Sequence, residues 1–314
     1  MAAALSVVLA VLAPSPALAV STSPVYAGDF PDPFVLAAAV SGATTYWAYS
    51  TGSGGRNLQV MHSSDLRVWS GVSDPLPVLP KWASVGHTWA PGVLVRGNTY
   101  LMYYTVRQAA TGRQCISVAR ASKPGGPFSD TSSGPLKCQL AYGGSIDPEP
   151  FVAPGGALYL VWKSDDNAIG RPTRLWAQQL SSQGAGLVGS ETLLLTQSET
   201  WQVPVIEGPS MVLVGGTYYM FYGANRWDSS SAAIGYATCT GPLGPCTNAS
   251  TTGPWMASHG AASGPSGPTF FTDTAGARRL GYHAWSNGVV GYPAGVRSLW
   301  IDTLTFPAGV PTLS

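Results

Sequence analysis

The chain has 314 residues, 16 of them Lys or Arg and 15 Asp or Glu, for a formal net charge of +1. Charged residues make up only 10% of it, so no basic field exists to hold a phosphate backbone, and nucleic acid is excluded as a partner. The 38 Gly and 26 Pro, beside 11 Trp and 14 Tyr, favour short strands joined by tight turns and leave little helix.

The first nineteen residues are unlike the rest. An apolar stretch from Ala2 to Ala13 leads to Pro14, Pro16 and Ala17-Leu18-Ala19, the small-x-small pattern of a signal-peptide cleavage site, although no basic residue precedes the stretch. A secretory leader over residues 1–19 is expected. No later run approaches the roughly 18 apolar residues of a spanning helix, so a soluble, secreted protein without membrane contact is expected.

From Phe30 onward one proline-centred phrase recurs five times: FPDPFV at Phe30–Val35, TWAPGV at Thr88–Val93, SIDPEPFV at Ser145–Val152, IEGPSMV at Ile206–Val212 and SGPTFF at Ser266–Phe271. Its prolines, Pro33, Pro91, Pro148, Pro209 and Pro268, lie 58, 57, 61 and 59 residues apart. Each is followed by an aromatic phrase, at Tyr46–Tyr49, Tyr100–Tyr103, Tyr159–Trp162, Tyr218–Phe221 and Leu280–His283. Third strands are expected at Leu58–His62, Ile116–Arg120, Leu175–Gln179, Ile234–Thr238 and Ser298–Ile301, with weakly marked outer strands beyond them. Self-similarity at this period, with short strands between turns, predicts an all-β, five-bladed β-propeller filling residues 20–314 as one domain. Tyr46, Trp162 and Phe221 of the second strands are expected in the core between blades. Four cysteines in an exported chain suggest two disulfides, with Cys115–Cys138 and Cys239–Cys246 the favoured local pairs and other connectivities open.

Innermost propeller strands line the central channel, so residues at matching positions in different blades converge although far apart in sequence. Three opening phrases carry a carboxylate at what reads as an equivalent place: Asp32, Asp147 and Glu207. Close together and partly buried, they cannot all ionise at neutral pH, and a proton-holding acid facing an ionised carboxylate is the arrangement that cleaves a glycosidic bond. A single Asp-Pro more often only caps a turn, the reading given to Asp29, Asp74 and Asp302.

Taken together, FPDPFV, HSSDLRVW at His62–Trp69, TWAPGV, SIDPEPFV and VIEGPSMV at Val205–Val212 resemble glycoside hydrolase family 43, over about Phe30 to Phe306. The resemblance implies a five-bladed hydrolase of arabinose- and xylose-containing plant polysaccharides. It implies inversion, with Asp32 as general base, Glu207 as general acid and Asp147 tuning and orienting that acid. Glu207 would then hold the proton, and base and acid would stand roughly 6.5–9.5 Å apart to admit a water. No cofactor is implied for the bond cleavage. His283 would help to hold a hydrated cation, often calcium, on the channel axis, and Arg297 would reach the sugar or the acid. A core histidine and a surface arginine are the plainer readings of those two.

By type and position, Trp89 is a candidate platform for a pentose ring, with blade packing as its alternative. Asn225, Arg226 and Trp227 break the strand pattern and are candidates to border the mouth and contact substrate. The overall reading is a secreted, monomeric, inverting α-L-arabinofuranosidase or exo-acting arabinanase. A β-xylosidase is the alternative within the class, and a non-catalytic carbohydrate-binding propeller the one outside it. Three mutually repelling acids argue against the last.

Overall fold

The aromatic phrases form strands that are buried on both faces, because each lies mid-blade with a neighbouring blade stacked on either side. Blade one comprises β1 (Phe34–Val40), β2 (Ala43–Thr51), β3 (Leu58–Ser63) and β4 (Ser70–Ser73). Blade two has three strands, β5 (Ala83–Arg96), β6 (Thr99–Gln108) and β7 (Gln114–Ala121), its outer edge reduced to isolated bridges from Arg120 to Ser129 and from Ile116 to Lys137. Blade three holds β8 (Ser145–Val152), β9 (Leu158–Ser164), β10 (Arg174–Leu180) and β11 (Leu187–Thr196). Blade four holds β12 (Ile206–Val214), β13 (Thr217–Ala224), β14 (Ala233–Cys239) and β15 (Cys246–Asn248). Blade five holds β16 (Ser263–Thr272), β17 (Arg278–Trp285), β18 (Arg297–Thr305) and β19 (Thr312–Leu313). This computed structural model describes residues 20–40 and 43–314, so the expected secretory leader lies outside the described residues. Among them helix is confined to short 3-10 turns, and none is long and apolar enough to cross a membrane.

All strands pair antiparallel, and the five-bladed propeller read from the repeat is the fold observed. Five apolar clusters hold it together, one for each pair of adjacent blades. Tyr46 packs with Leu299 between blades one and five, Trp162 with Tyr103 between two and three, and Phe221 with Tyr282 between four and five. Both favoured disulfides, Cys115–Cys138 and Cys239–Cys246, are formed. The ring is tied where its ends meet: Val25 N–H donates to Leu299 O at 2.9 Å and Ser21 N–H to Asp302 Oδ1 at 2.7 Å, fastening the segment before blade one to blade five.

One irregularity recurs in every blade and builds the site. The ladder between first and second strands skips two inner residues at each proline phrase, running from Trp89↔Thr105 to Gly92↔Tyr103 and from Ile146↔Lys163 to Glu149↔Val161. It likewise runs from Glu207↔Gly223 to Ser210↔Phe221 and from Ser266↔His283 to Thr269↔Gly281. In blade one, Thr51 N–H donates to Pro31 O and pairing resumes at Phe34↔Tyr49. Proline has no N–H to offer the ladder, so a bulge forms there. The residue before the proline is left-handed each time, with φ of 51° at Asp32, 45° at Ala90, 55° at Asp147, 55° at Gly208 and 61° at Gly267. Strain of order 1–3 kcal/mol at each non-glycine site is the kind that functional sites retain. The bulges turn these residues toward the axis.

Candidate active site

A cavity of about 450 Å³ opens at the hub, and its wall is built from the bulges. It is lined by Asp32, Ala90, Asp147, Gly208 and Gly267, which precede the five prolines, and by Trp89, Ile146, Glu207 and Ser266, which stand one residue earlier in blades two to five. The three carboxylates thus meet in one pocket. Their equivalence is inexact, however. Asp32 and Asp147 occupy the pre-proline position, whereas Glu207 stands one residue ahead of it and Gly208 takes that position. The bulge presents both positions to the cavity, so the offset changes the direction of approach without removing the carboxylate.

Asp32 sits among donors. Thr51 Oγ1 donates to its Oδ2 at 2.6 Å, and the Arg297 guanidinium Nη1 lies 3.5 Å from its Oδ1. Burial works to raise its pKa, but Arg297, His283 and the Thr51 hydrogen bond outweigh this and hold the carboxyl below its ordinary range. With 29% of its side chain exposed, Asp32 is a carboxylate open to the cavity.

Asp147 has the opposite environment. Burial first, then repulsion from Glu207 and Asp32, lifts its pKa to about 8, against the opposing pull of Lys163 and of Gly208 N–H, which donates to Oδ2 at 3.0 Å. Burial thus favours the neutral form of Asp147. Beside Glu207, Lys163 Nζ, only 1% exposed, stands 3.2 Å from Oε2, so the expected acid carries a buried ammonium as its neighbour.

Arg297 is buried rather than superficial, and it reaches Asp32, not Glu207. Its guanidinium lies over the Trp227 ring at 4.9 Å and its Nε donates to Tyr292 Oη at 3.3 Å. Trp89 and Trp227 both wall the cavity, Trp227 with 43% of its surface exposed. Asn225 and Arg226 do not line it. Asn225 adopts φ 70° and spends its side chain on its own turn, donating to Trp201 O and accepting Arg226 N–H, while Arg226 pairs with Asp228 at the surface. Asp29, Asp74 and Asp302 accept from backbone and side-chain donors and do not line the cavity, the capping role expected of them.

His283 bears on the axial cation. Its Nδ1 accepts Asp32 N–H at 2.9 Å, and burial, then Arg297, pushes its pKa down to about 3. A neutral ring accepting at Nδ1 carries its proton on Nε2, and that buried Nε2 has no protein partner. It therefore offers a donor where a metal requires a lone pair. Among the described residues no three His, Cys, Asp or Glu are grouped to hold an ion. The residues do not fit direct ligation by His283.

Adjoining the cavity, and sharing Asp32, Ala90, Asp147, Gly208 and Gly267 with it, is a void of about 40 Å³ lined by the five prolines and Glu149. Ser210 Oγ donates to Glu149 Oε1, and burial lifts the Glu149 pKa from its ordinary 4.5 to about 8. A raised native pKa means that ionisation favours the unfolded chain, so stability present below pH 4.5 declines as pH rises toward 8. Glu149→Gln, which keeps the acceptor and cannot ionise, is expected to match the wild type at pH 5 and to exceed it in Tm by about 4 °C or more at pH 8. Thermal melts across that range test this, and a variant less stable at every pH would refute it.

The family described as glycosyl hydrolases family 43 matches residues 21–311. The chain belongs to that family. A β-D-galactofuranosidase of Aspergillus niger is 28% identical over 71% of the chain, which spans 64% of that protein's length. An arabinan endo-1,5-α-L-arabinosidase A of Aspergillus niger is 27% identical over 86% of both chains. The crystal structure of a thermostable family-43 glycoside hydrolase superposes with a TM-score of 0.80 at 26% identity, over 91% of this chain and 93% of that one. Family 43 enzymes are glycoside hydrolases that invert, using an Asp base and a Glu acid.

Sequence reasoning passed over Lys163, Thr51, Thr105 and Glu149. The first three follow the aromatic phrases at unequal offsets, Tyr46 to Thr51 being five residues and Tyr159 to Lys163 four, so only the strand register aligns them.

Proposed function

We propose that this family 43 hydrolase is a secreted, exo-acting α-L-arabinofuranosidase that removes terminal arabinose from plant arabinan or arabinoxylan. The observation that carries the reading is the split between carboxylates on one cavity: Asp32 held ionised by Arg297 and Thr51, Asp147 held neutral by burial beside Glu207. Asp32 is the general base and draws a proton from the attacking water. Asp147 and Glu207 hold one proton between them, and Glu207 delivers it to the leaving oxygen as the glycosidic bond breaks.

A cavity of about 450 Å³ has room for one or two sugar rings rather than a long chain, which favours exo action. The names of the relatives favour a furanoside, since one acts on galactofuranosides and the other on arabinan. Trp89 and Trp227 supply apolar faces for sugar C–H bonds. Two disulfides fit an oxidising, extracellular setting.

Release of para-nitrophenol from the α-L-arabinofuranoside, β-D-galactofuranoside and β-D-xylopyranoside tests the sugar. Proton NMR of arabinan and arabinoxylan digests tests the bond and the stereochemistry. Free arabinose, appearing first as the inverted anomer, is the expected product. Preference for the xyloside would replace this reading with a β-xylosidase, and glycan binding without any release would leave a non-catalytic propeller.

A further inference from the structure

The strand register gives the five second strands one common position, the partner of the residue that opens each bulge. It is occupied by Thr51, Thr105, Lys163, Gly223 and His283. Thr51, Thr105 and His283 play one part, since each accepts the pre-proline amide of the next blade. Ala90 N–H donates to Thr51 Oγ1 at 2.9 Å, Asp147 N–H to Thr105 Oγ1 at 3.0 Å and Asp32 N–H to His283 Nδ1 at 2.9 Å. These bonds fix the left-handed residues from blade to blade.

Lys163 stands at that position facing blade four, and it cannot play that part. An ammonium has three donors and no acceptor. The pre-proline amide of blade four, Gly208 N–H, goes instead to Asp147 Oδ2 at 3.0 Å. The ammonium donates to Glu207 Oε2 at 3.2 Å and lies 3.6 Å from Asp165 Oδ1. Three carboxyl groups therefore face it: Glu207 from β12, Asp147 from β8 and Asp165 just beyond β9. Arg297 is not their counter-charge, since it pairs with Asp32.

We propose that Lys163 is a positioning residue of the acid machinery, aiming the Glu207 carboxyl, leaving Gly208 N–H to orient Asp147, and setting the highest pH at which that pair still supplies a proton. This rests on the roles given to Glu207 and Asp147 above. The physical reason is that an ammonium this close stabilises both carboxylates, so the pair loses its proton at lower pH than it would without the cation. An opposite charge within about 4–6 Å typically moves a carboxyl by 1–3 pH units.

The test is the pH profile of kcat/KM for Lys163→Met on an unactivated arabino-oligosaccharide, where the acid is needed. The basic limb is expected to move up by about one pH unit or more, with a fall of about tenfold or more at the optimum as Glu207 loses its aim. Lys163→Arg, which keeps the charge, is expected to hold the basic limb within about half a unit of the wild type. Lys163→Gln, which keeps a donor and drops the charge, serves if the methionine variant does not fold, and is read the same way. A uniform loss across pH with an unmoved basic limb would overturn the proposal and leave Lys163 a packing residue. A wild-type protein inactive on every furanoside would instead sink the assignment of Glu207 and Asp147.

Discussion

Glu207→Gln is expected to lose turnover on arabinan and arabino-oligosaccharides by about 10²–10⁴-fold, the usual worth of a positioned general acid. The amide keeps the shape of the side chain and its contact with Lys163, but it has no proton to give. On a para-nitrophenyl arabinofuranoside the loss should be far smaller, because a leaving group that departs readily as an anion needs little protonation. The ratio of the two losses is the measurement. A variant that cleaves oligosaccharides like the wild type would refute the acid assignment, and equal losses on both substrates would point away from proton donation.

Asp32→Asn is expected to lose about 10²–10⁴-fold on both substrates alike, since every turnover needs the water to be activated, whatever departs. Asparagine tolerates the left-handed backbone observed at this position, φ 51°, and can still accept from Thr51 Oγ1. The fold should survive, with Tm changed by no more than a few degrees. The profile is the reverse of that for Glu207→Gln, so the pair of variants assigns acid and base without reference to any relative. An Asp32→Asn variant that retains the aryl glycoside reaction would move the base elsewhere, and Asp147 would be the next candidate because it shares the cavity.

Much of the fold was legible because a propeller writes its architecture as repetition. Bulge, second strand and third strand recur, and five prolines at near-even spacing locate them before any packing is known. Asp32, Asp147 and Glu207 were legible for the same reason, since each lies in a phrase that the repeat carries to the axis. Asn225 and Arg226 were misplaced because a break in the strand pattern reports a loop but not its direction. One of them caps its own turn and the other pairs at the surface, while their neighbour Trp227 reaches the cavity. Glu149 was hidden in plain view, two residues after Asp147. The bulge gives consecutive positions to different layers of the hub, and nothing in a linear phrase marks which layer each one enters.

By itself the sequence determined the blade count, the strand order and the family, all properties of local pattern repeated along the chain, and it favoured but did not fix the disulfide pairs. Only the tertiary structure decided which charges surround each carboxyl. That outcome depends on Arg297 reaching Asp32 across 265 positions of sequence, and on Lys163 lying beside Glu207, 44 positions away. Charge interactions are set by distances in space and by the water excluded between groups, and neither quantity is encoded in the order of residues.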